Sequence, residues 1–169
     1  RHIKIANAYG TAIFYGDFVK IVAAGTVEKA AVTTSVVAGT VGIFMGCSYT
    51  DPNTNQLTFN QQFIASTAAD DIMAYVCDDP KLLFRMQGDE AIAQTGLGNN
   101  ISAVNTAGST SIGRSKNALD GGSIATTNTL PLRVVDFVDG PSSAVGDAFT
   151  DCIVTYLPLS HAYETKLGV

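Results

Sequence analysis

Charge is scarce in this sequence. Of 169 residues only 15% are Asp, Glu, Lys or Arg, against roughly a quarter in typical soluble domains, while 46% are hydrophobic. A lone monomer with so few charges would be adhesive, so much of its surface is expected to be buried in an assembly. Basic residues are the scarcer kind: ten Lys and Arg against 15 Asp and Glu give a net charge of −5. That balance repels phosphate backbones and argues against nucleic acid as a partner. Glutamate occurs only three times among the 15 acids, and the other acids are Asp, which favours turns and caps over helix interiors. Histidine occurs twice, as His2 and His161 near the two chain ends, so imidazole bases are few and poorly placed.

Other absences narrow the field further. Arg-His-Ile-Lys-Ile-Ala-Asn at the start lacks the apolar block of about 7 to 15 residues that a signal peptide needs. No secretion route is therefore expected. Arg rather than Met stands first, which leads us to expect that some residues preceding it were removed or are not included. The longest early uncharged stretch, Ala30 to Thr50, contains Thr33, Thr34, Ser35, Thr40, Ser48 and three glycines. It suits two paired strands better than a membrane span. Cys47, Cys77 and Cys152 match no zinc or redox spacing and read as reduced core thiols.

What is abundant points to strands. Val, Ile, Thr, Tyr and Phe number 59, whereas Leu, Met, Glu, Gln, Lys and Arg number 31. With 16 Gly and nine Asn for turns, the expectation is a single all-β domain over residues 1–169. It is expected to be a small β-barrel or sandwich with one or two short helices and a long polar loop. Thr11 to Tyr15, Gly16-Asp17 and Phe18 to Val22 read as strand, turn, strand, and Val27 to Val37 as a further strand pair. The clearest hairpin joins Val41–Tyr49 to Leu57–Ile64 through Asp51-Pro-Asn-Thr-Asn55. Ile72 to Cys77 is apolar on both faces, as in a strand buried on both sides, and Leu82 to Gln87 is the next strand. Asp89-Glu90 is expected to cap a helix of at most two turns before Gly98, with a second short helix over Ser115 to Leu119. Asn99 to Thr129 reads as an ordered polar excursion lying on the core. Leu130–Val138 and Phe149–Leu159 form a second hairpin or crossover. The expected core comprises Phe14, Val19, Ile21, Val41, Ile43, Met45, Cys47, Ile72, Ala74, Val76, Leu132, Val134, Ile153 and Tyr156.

Chemically suggestive constellations do not hold together. Gly108 to Ser115 fits the phosphate-loop pattern except that Arg114 stands where Lys is required, and Gly121-Gly122 would interrupt the helix that must follow. Asp70/Asp71 and Asp78/Asp79 are adjacent pairs on a strand's ends, and adjacent strand residues point to opposite faces. Asp51, Asn53 and Asn55 alternate like calcium ligands but lack the Gly and terminal Glu of a calcium loop. No Gly-x-Ser-x-Gly elbow occurs. Asn100-Ile-Ser102 is a glycosylation sequon without relevance unless the chain is secreted. The sequence therefore offers no catalytic, cofactor-binding or metal site.

Resemblance carries the reading further. The order Ile13-Phe-Tyr-Gly-Asp-Phe-Val-Lys-Ile21, Val41-Gly-Ile-Phe-Met-Gly-Cys-Ser-Tyr49, Ala74-Tyr-Val-Cys-Asp-Asp-Pro80 and Phe84-Arg-Met-Gln87 resembles head decoration (cement) proteins of tailed phages, especially marine and cyanobacterial ones. Gln94-Thr-Gly-Leu-Gly-Asn-Asn100, Leu130-Pro-Leu-Arg-Val-Val135 and Val145-Gly-Asp-Ala-Phe-Thr-Asp-Cys-Ile-Val154 are similar to that family's second half. The resemblance covers nearly the whole chain, but its blocks carry no reactive groups. It implies a non-catalytic structural virion protein that joins copies of itself, commonly as a trimer. Such a protein binds the major capsid protein on the outer surface of the capsid, after assembly in the host bacterial cytoplasm. No cofactor, membrane or nucleic acid is implied. The segment Arg1 to Tyr9 and the loop Asn99 to Thr129 are the expected capsid contacts. Another virion component, such as a tail, fibre or adaptor protein, is the alternative, and an enzyme is the third class.

Overall fold

A computed structural model describes residues 1–33, 37, 39–165 and 168. Among these residues eleven strands build two antiparallel sheets, in keeping with the strand-rich composition. The first sheet runs β1 (His2–Lys4), β6 (Met73–Cys77), β4 (Thr40–Thr50), β2 (Phe18–Ile21), β3 (Val27–Lys29), with β5 (Leu57–Asn60) paired to the far half of β4. The second runs β7 (Leu83–Gln87), β11 (Asp151–Tyr156), β10 (Leu132–Phe137), β8 (Asn100–Val104), β9 (Ala118–Ala125). The all-β expectation holds as a sandwich, and neither sheet closes into a barrel.

Two apolar clusters follow from this layout. Val19, Phe44, Cys47, Ala74 and Val76 project from one face of the first sheet and are covered by Ile5, Ile13, Phe63 and Ile72 from its connecting segments. Phe18 and Ile43 project from the other face and meet Leu132, Val134, Cys152, Val154 and Tyr156 of the second sheet.

The hairpin β4–β5 forms where expected, although its second arm ends at Asn60. Asp51 Oδ1 accepts from the Asn53 N–H at 2.7 Å, and Asn55 takes φ +53°, so the turn-forming run closes on its own side chains. β10 and β11 pair antiparallel, giving the second hairpin.

Several expectations are corrected. Among the described residues helix is limited to the single 3-10 turns Gln94–Gly96 and Pro158–Ser160; Ser115 to Leu119 runs into β9 instead. Thr11 to Tyr15 forms no hairpin with β2, because Ile13 bridges Phe63 and Tyr15 bridges Arg114. Of the strand pair over Val27 to Val37, only Val27–Lys29 is a strand, and its second arm at 34–36 lies outside the described residues. The excursion Asn99 to Thr129 is chiefly the β8–β9 hairpin. The segment Arg1 to Tyr9, expected as a capsid contact, supplies the edge strand β1, which pairs with β6, and both Ile3 and Ile5 are buried.

Met45 is exposed rather than in the core. The register slips between Phe44 and Gly46, and again opposite Val19 and Lys20. These bulges make Val41, Phe44, Cys47 and Tyr49 the inward set instead of every second residue. Gly42 and Gly46, at φ +152° and +134°, supply the backbone that the bulges need. Ile21 and Ile153 are half-buried rather than fully buried; the inward residues of β11 are Cys152, Val154 and Tyr156.

Candidate interaction surface

The suggestive constellations of the sequence are occupied by structural duties. Gly108 lies flush on Phe14, where a Cβ would come within 2.3 Å of the ring. Ser109 and Arg114 close a tight loop, the Ser109 N–H donating to the Arg114 carbonyl at 2.9 Å. Ser115 Oγ then donates to Asp17 Oδ1 at 2.6 Å. The phosphate-loop look-alike is thus the tip of the β8–β9 hairpin clamped onto the first sheet, and a strand follows it where a helix would be needed.

The aspartate pairs go to separate partners. Asp70 accepts from Asn7 Nδ2 at 2.6 Å, and Asp71 accepts from the Thr50 hydroxyl at 2.6 Å. The Thr50 hydroxyl and N–H hold the Asp71 carboxyl below its ordinary range. Asp78 accepts from the Tyr163 hydroxyl at 2.7 Å, and Asp79 from the Lys81 N–H at 2.8 Å. His2 packs edge-on to Tyr75 at 4.5 Å, whereas His161 is fully buried. Asn100 is also buried, donating to the Thr127 carbonyl and accepting from Arg133 Nε. Asp89, Glu90 and Asp120 have carboxylate oxygens within 4.8 Å of one another; Asp89 and Glu90 are exposed and Asp120 is half-buried, and the Asp89 carboxylate accepts from the Gly121 N–H.

A different feature stands out on the surface. Past the buried Ile43, Met45 of β4 and Leu57 and Phe59 of β5 are exposed. Three adjoining depressions of about 450, 350 and 380 Å³ share Met45 as a wall. The first is lined by Tyr15, Met45, Phe59, Tyr75 and Arg114. Tyr75 anchors the row: its hydroxyl donates to Ser48 Oγ at 2.9 Å, and its ring stacks near-parallel on Phe59 at 6.4 Å. Phe59 is 68% and Leu57 63% exposed, and Met45 is 42% exposed. Aromatic rings, a thioether, hydroxyls and one guanidinium offer contact area with directional edges, the composition of interface centres.

Sequence reading missed this surface because alternation in β5 and β4 assigns apolar residues inward. The available signal was the absence of any charge between Asp51 and Asp70. Comparison with protein-family models, curated proteins and solved structures finds no match.

Proposed function

We propose that this chain is a non-catalytic structural virion protein that binds the outer surface of an assembled phage head and stabilises it. Its partners in this reading are the major capsid protein and copies of itself, as a homo-oligomer for which the resemblance implies a trimer. The observation that carries the reading is the uncovered face around Met45, Tyr15, Phe59 and Tyr75, a broad apolar contact area on an all-β scaffold. The block resemblance and the low charge support it independently.

The physics suits such a role. A protein that binds only the assembled lattice stabilises it by mass action, and many modest contacts repeated over a shell act together through avidity. An acidic, sparsely charged surface stays off the packaged genome and meets the shell by apolar and backbone contacts. Neither expected contact segment is a detached arm, since Arg1 to Tyr9 is built into the first sheet and the tip of Asn99 to Thr129 is bound to Asp17. The Met45 face adds a third contact area to these two segments.

Heads with and without the protein, heated in parallel, provide the test. Decorated heads should rupture at higher temperature, and Met45→Glu should leave a folded protein that no longer co-sediments with heads. Equal heat resistance, or labelled protein found only on tails, would overturn the reading.

A further inference from the structure

The outer edge of β5 differs from the other strand edges in lacking any guard. Strand edges expose unpaired N–H and C=O groups, and proteins blunt them with charge, bulges or cover. Here β1 carries Lys4, β3 carries Glu28 and Lys29, β7 carries Arg85, and β9 carries Asp120. β5, Leu57-Thr-Phe-Asn60, carries none, and its register with β4 runs without a bulge from Thr50↔Leu57 to Cys47↔Asn60. Among the described residues its other side pairs with no strand. Leu57 and Phe59 are also the two most exposed large apolar side chains among those residues. An unguarded, straight, neutral edge with its apolar side chains in solvent is a template awaiting a strand.

We propose that this edge pairs antiparallel with β5 of a second copy of the chain, across a two-fold axis. Charge selects the occupant. Each copy carries −5 overall, so copies repel over most of their surfaces, but the run from Pro52 to Ala69 is free of charge. Two such runs meet at the least electrostatic cost available to this chain. The pairing is also self-complementary, as a two-fold contact must be. Rotation about an axis perpendicular to the sheet keeps each strand's faces aligned, so Leu57 and Phe59 of one copy lie beside Phe59 and Leu57 of the other. The Tyr75–Phe59 stack then continues into its counterpart, and the two first sheets become one. This contact is independent of whether the chain decorates a head. In a trimeric assembly it would join one trimer to the next.

Sedimentation velocity over a dilution series, with hydrogen exchange on the same samples, tests the pairing. The wild type should show a species with an even number of copies, and the Leu57 to Asn60 amides should exchange more slowly at high concentration. Leu57→Lys combined with Phe59→Lys, both at exposed positions, should halve the assembled mass while preserving the circular dichroism spectrum. Should the variant misfold, the concentration dependence of exchange in the wild type decides alone. A wild type that is only monomeric or only trimeric, an assembly mass unchanged in the folded variant, or protection that appears only when another extended protein segment is added would each overturn the proposal. Head binding is scored separately, so its loss or survival does not bear on the solution mass.

Discussion

Asp17 and Lys29 form an ion pair at 2.9 Å beneath the surface, the Asp17 side chain fully buried and that of Lys29 only 12% exposed. The carboxylate is otherwise saturated: the Phe14 N–H and the Ser115 hydroxyl donate to it at 2.9 and 2.6 Å, and Asn117 Nδ2 donates at 3.3 Å. One residue thereby joins β3, the turn before β2 and the tip of the β8–β9 hairpin, fixing one sheet against the other.

Asp17→Ala leaves the Lys29 ammonium nearly buried and unpaired, which costs about 3–5 kcal/mol for pairs of this kind. Asp17→Ala with Lys29→Met should cost less than Asp17→Ala alone, because the orphaned charge is gone. Urea unfolding of the three proteins measures both differences. An Asp17→Ala variant as stable as the wild type would refute the hub.

Gly42 tests the bulges. A Cβ there would stand 2.0 Å from the Cys77 carbonyl oxygen, and φ is +152°. Gly42→Ala should destabilise by about 3 kcal/mol or more, through overpacking and backbone strain together. Gly10, whose Cβ position meets nothing beyond its chain neighbours within 4 Å among the described residues, should accept Ala within about 0.5 kcal/mol. Similar melting shifts for both would contradict the bulged register of β4.

How much of this was legible follows from particular residues. Asp51-Pro-Asn-Thr-Asn55 announced its hairpin, because each residue in it favours a turn for a local reason. Asp17 did not, since a lone Gly-Asp reads as a solvated turn until Lys29, Ser115 and Asn117 arrive from 12, 98 and 100 residues away in sequence. β8 and β9 hid in a polar stretch because Ser102, Asp120, Gly121, Gly122 and Ser123 dilute the alternation. Met45 misled in the opposite sense: Gly42 and Gly46 inside a strand were bulge signals, and ignoring them left the parity wrong. Exposure of Phe59 depends on what the rest of the fold leaves uncovered, a tertiary fact with no local trace.

Cysteine reactivity should separate by burial. Burial pushes the Cys47 and Cys152 thiols up to about 11, with Asp151 adding to the rise at Cys152, so neither is appreciably thiolate at neutral pH. Cys77 is half-buried and free. Ellman titration of the native protein should count about one fast thiol per chain, and of the denatured, unreduced protein three. Finding one thiol after denaturation would reveal a disulfide.

Tyr156 offers a gain of stability. Its hydroxyl is buried without a hydrogen-bond partner among the described residues, and its ring packs against those of Phe18, Phe84 and His161 at centroid distances of 5.4 to 6.1 Å. Burial raises its pKa well above the ordinary value. A buried, unpaired hydroxyl costs about 1–3 kcal/mol relative to a paired one. Tyr156→Phe keeps the ring packing and removes that cost, so the variant should melt no lower than the wild type and is expected to melt higher. A loss of more than about 1 kcal/mol would mean that the hydroxyl is bonded in solution.

His161 makes stability depend on pH, with a definite sign. Its imidazole is fully buried under the first sheet, Nδ1 accepting from the Tyr163 N–H at 3.3 Å. That contact assigns the proton to Nε2, which donates to the Val41 carbonyl at 3.1 Å. Burial lowers the pKa below its ordinary 6.5, although the Val41 carbonyl and the nearby Glu164, Asp78 and Asp79 carboxylates oppose the shift. The unfolded chain therefore takes up a proton before the folded one does. Stability from this group is complete above about pH 6.5 and is lost as pH falls from there toward the lower folded value. Most carboxylates titrate below that window, so the upper part of the acid limb isolates the histidine. His161→Gln, which retains a donor for Val41 but cannot charge, should start less stable at pH 8 yet lose less between pH 6.5 and 5. Parallel urea titrations at a series of pH values compare the slopes. If the variant followed the wild type's slope through that window, the buried neutral imidazole would not be what the acid limb reports.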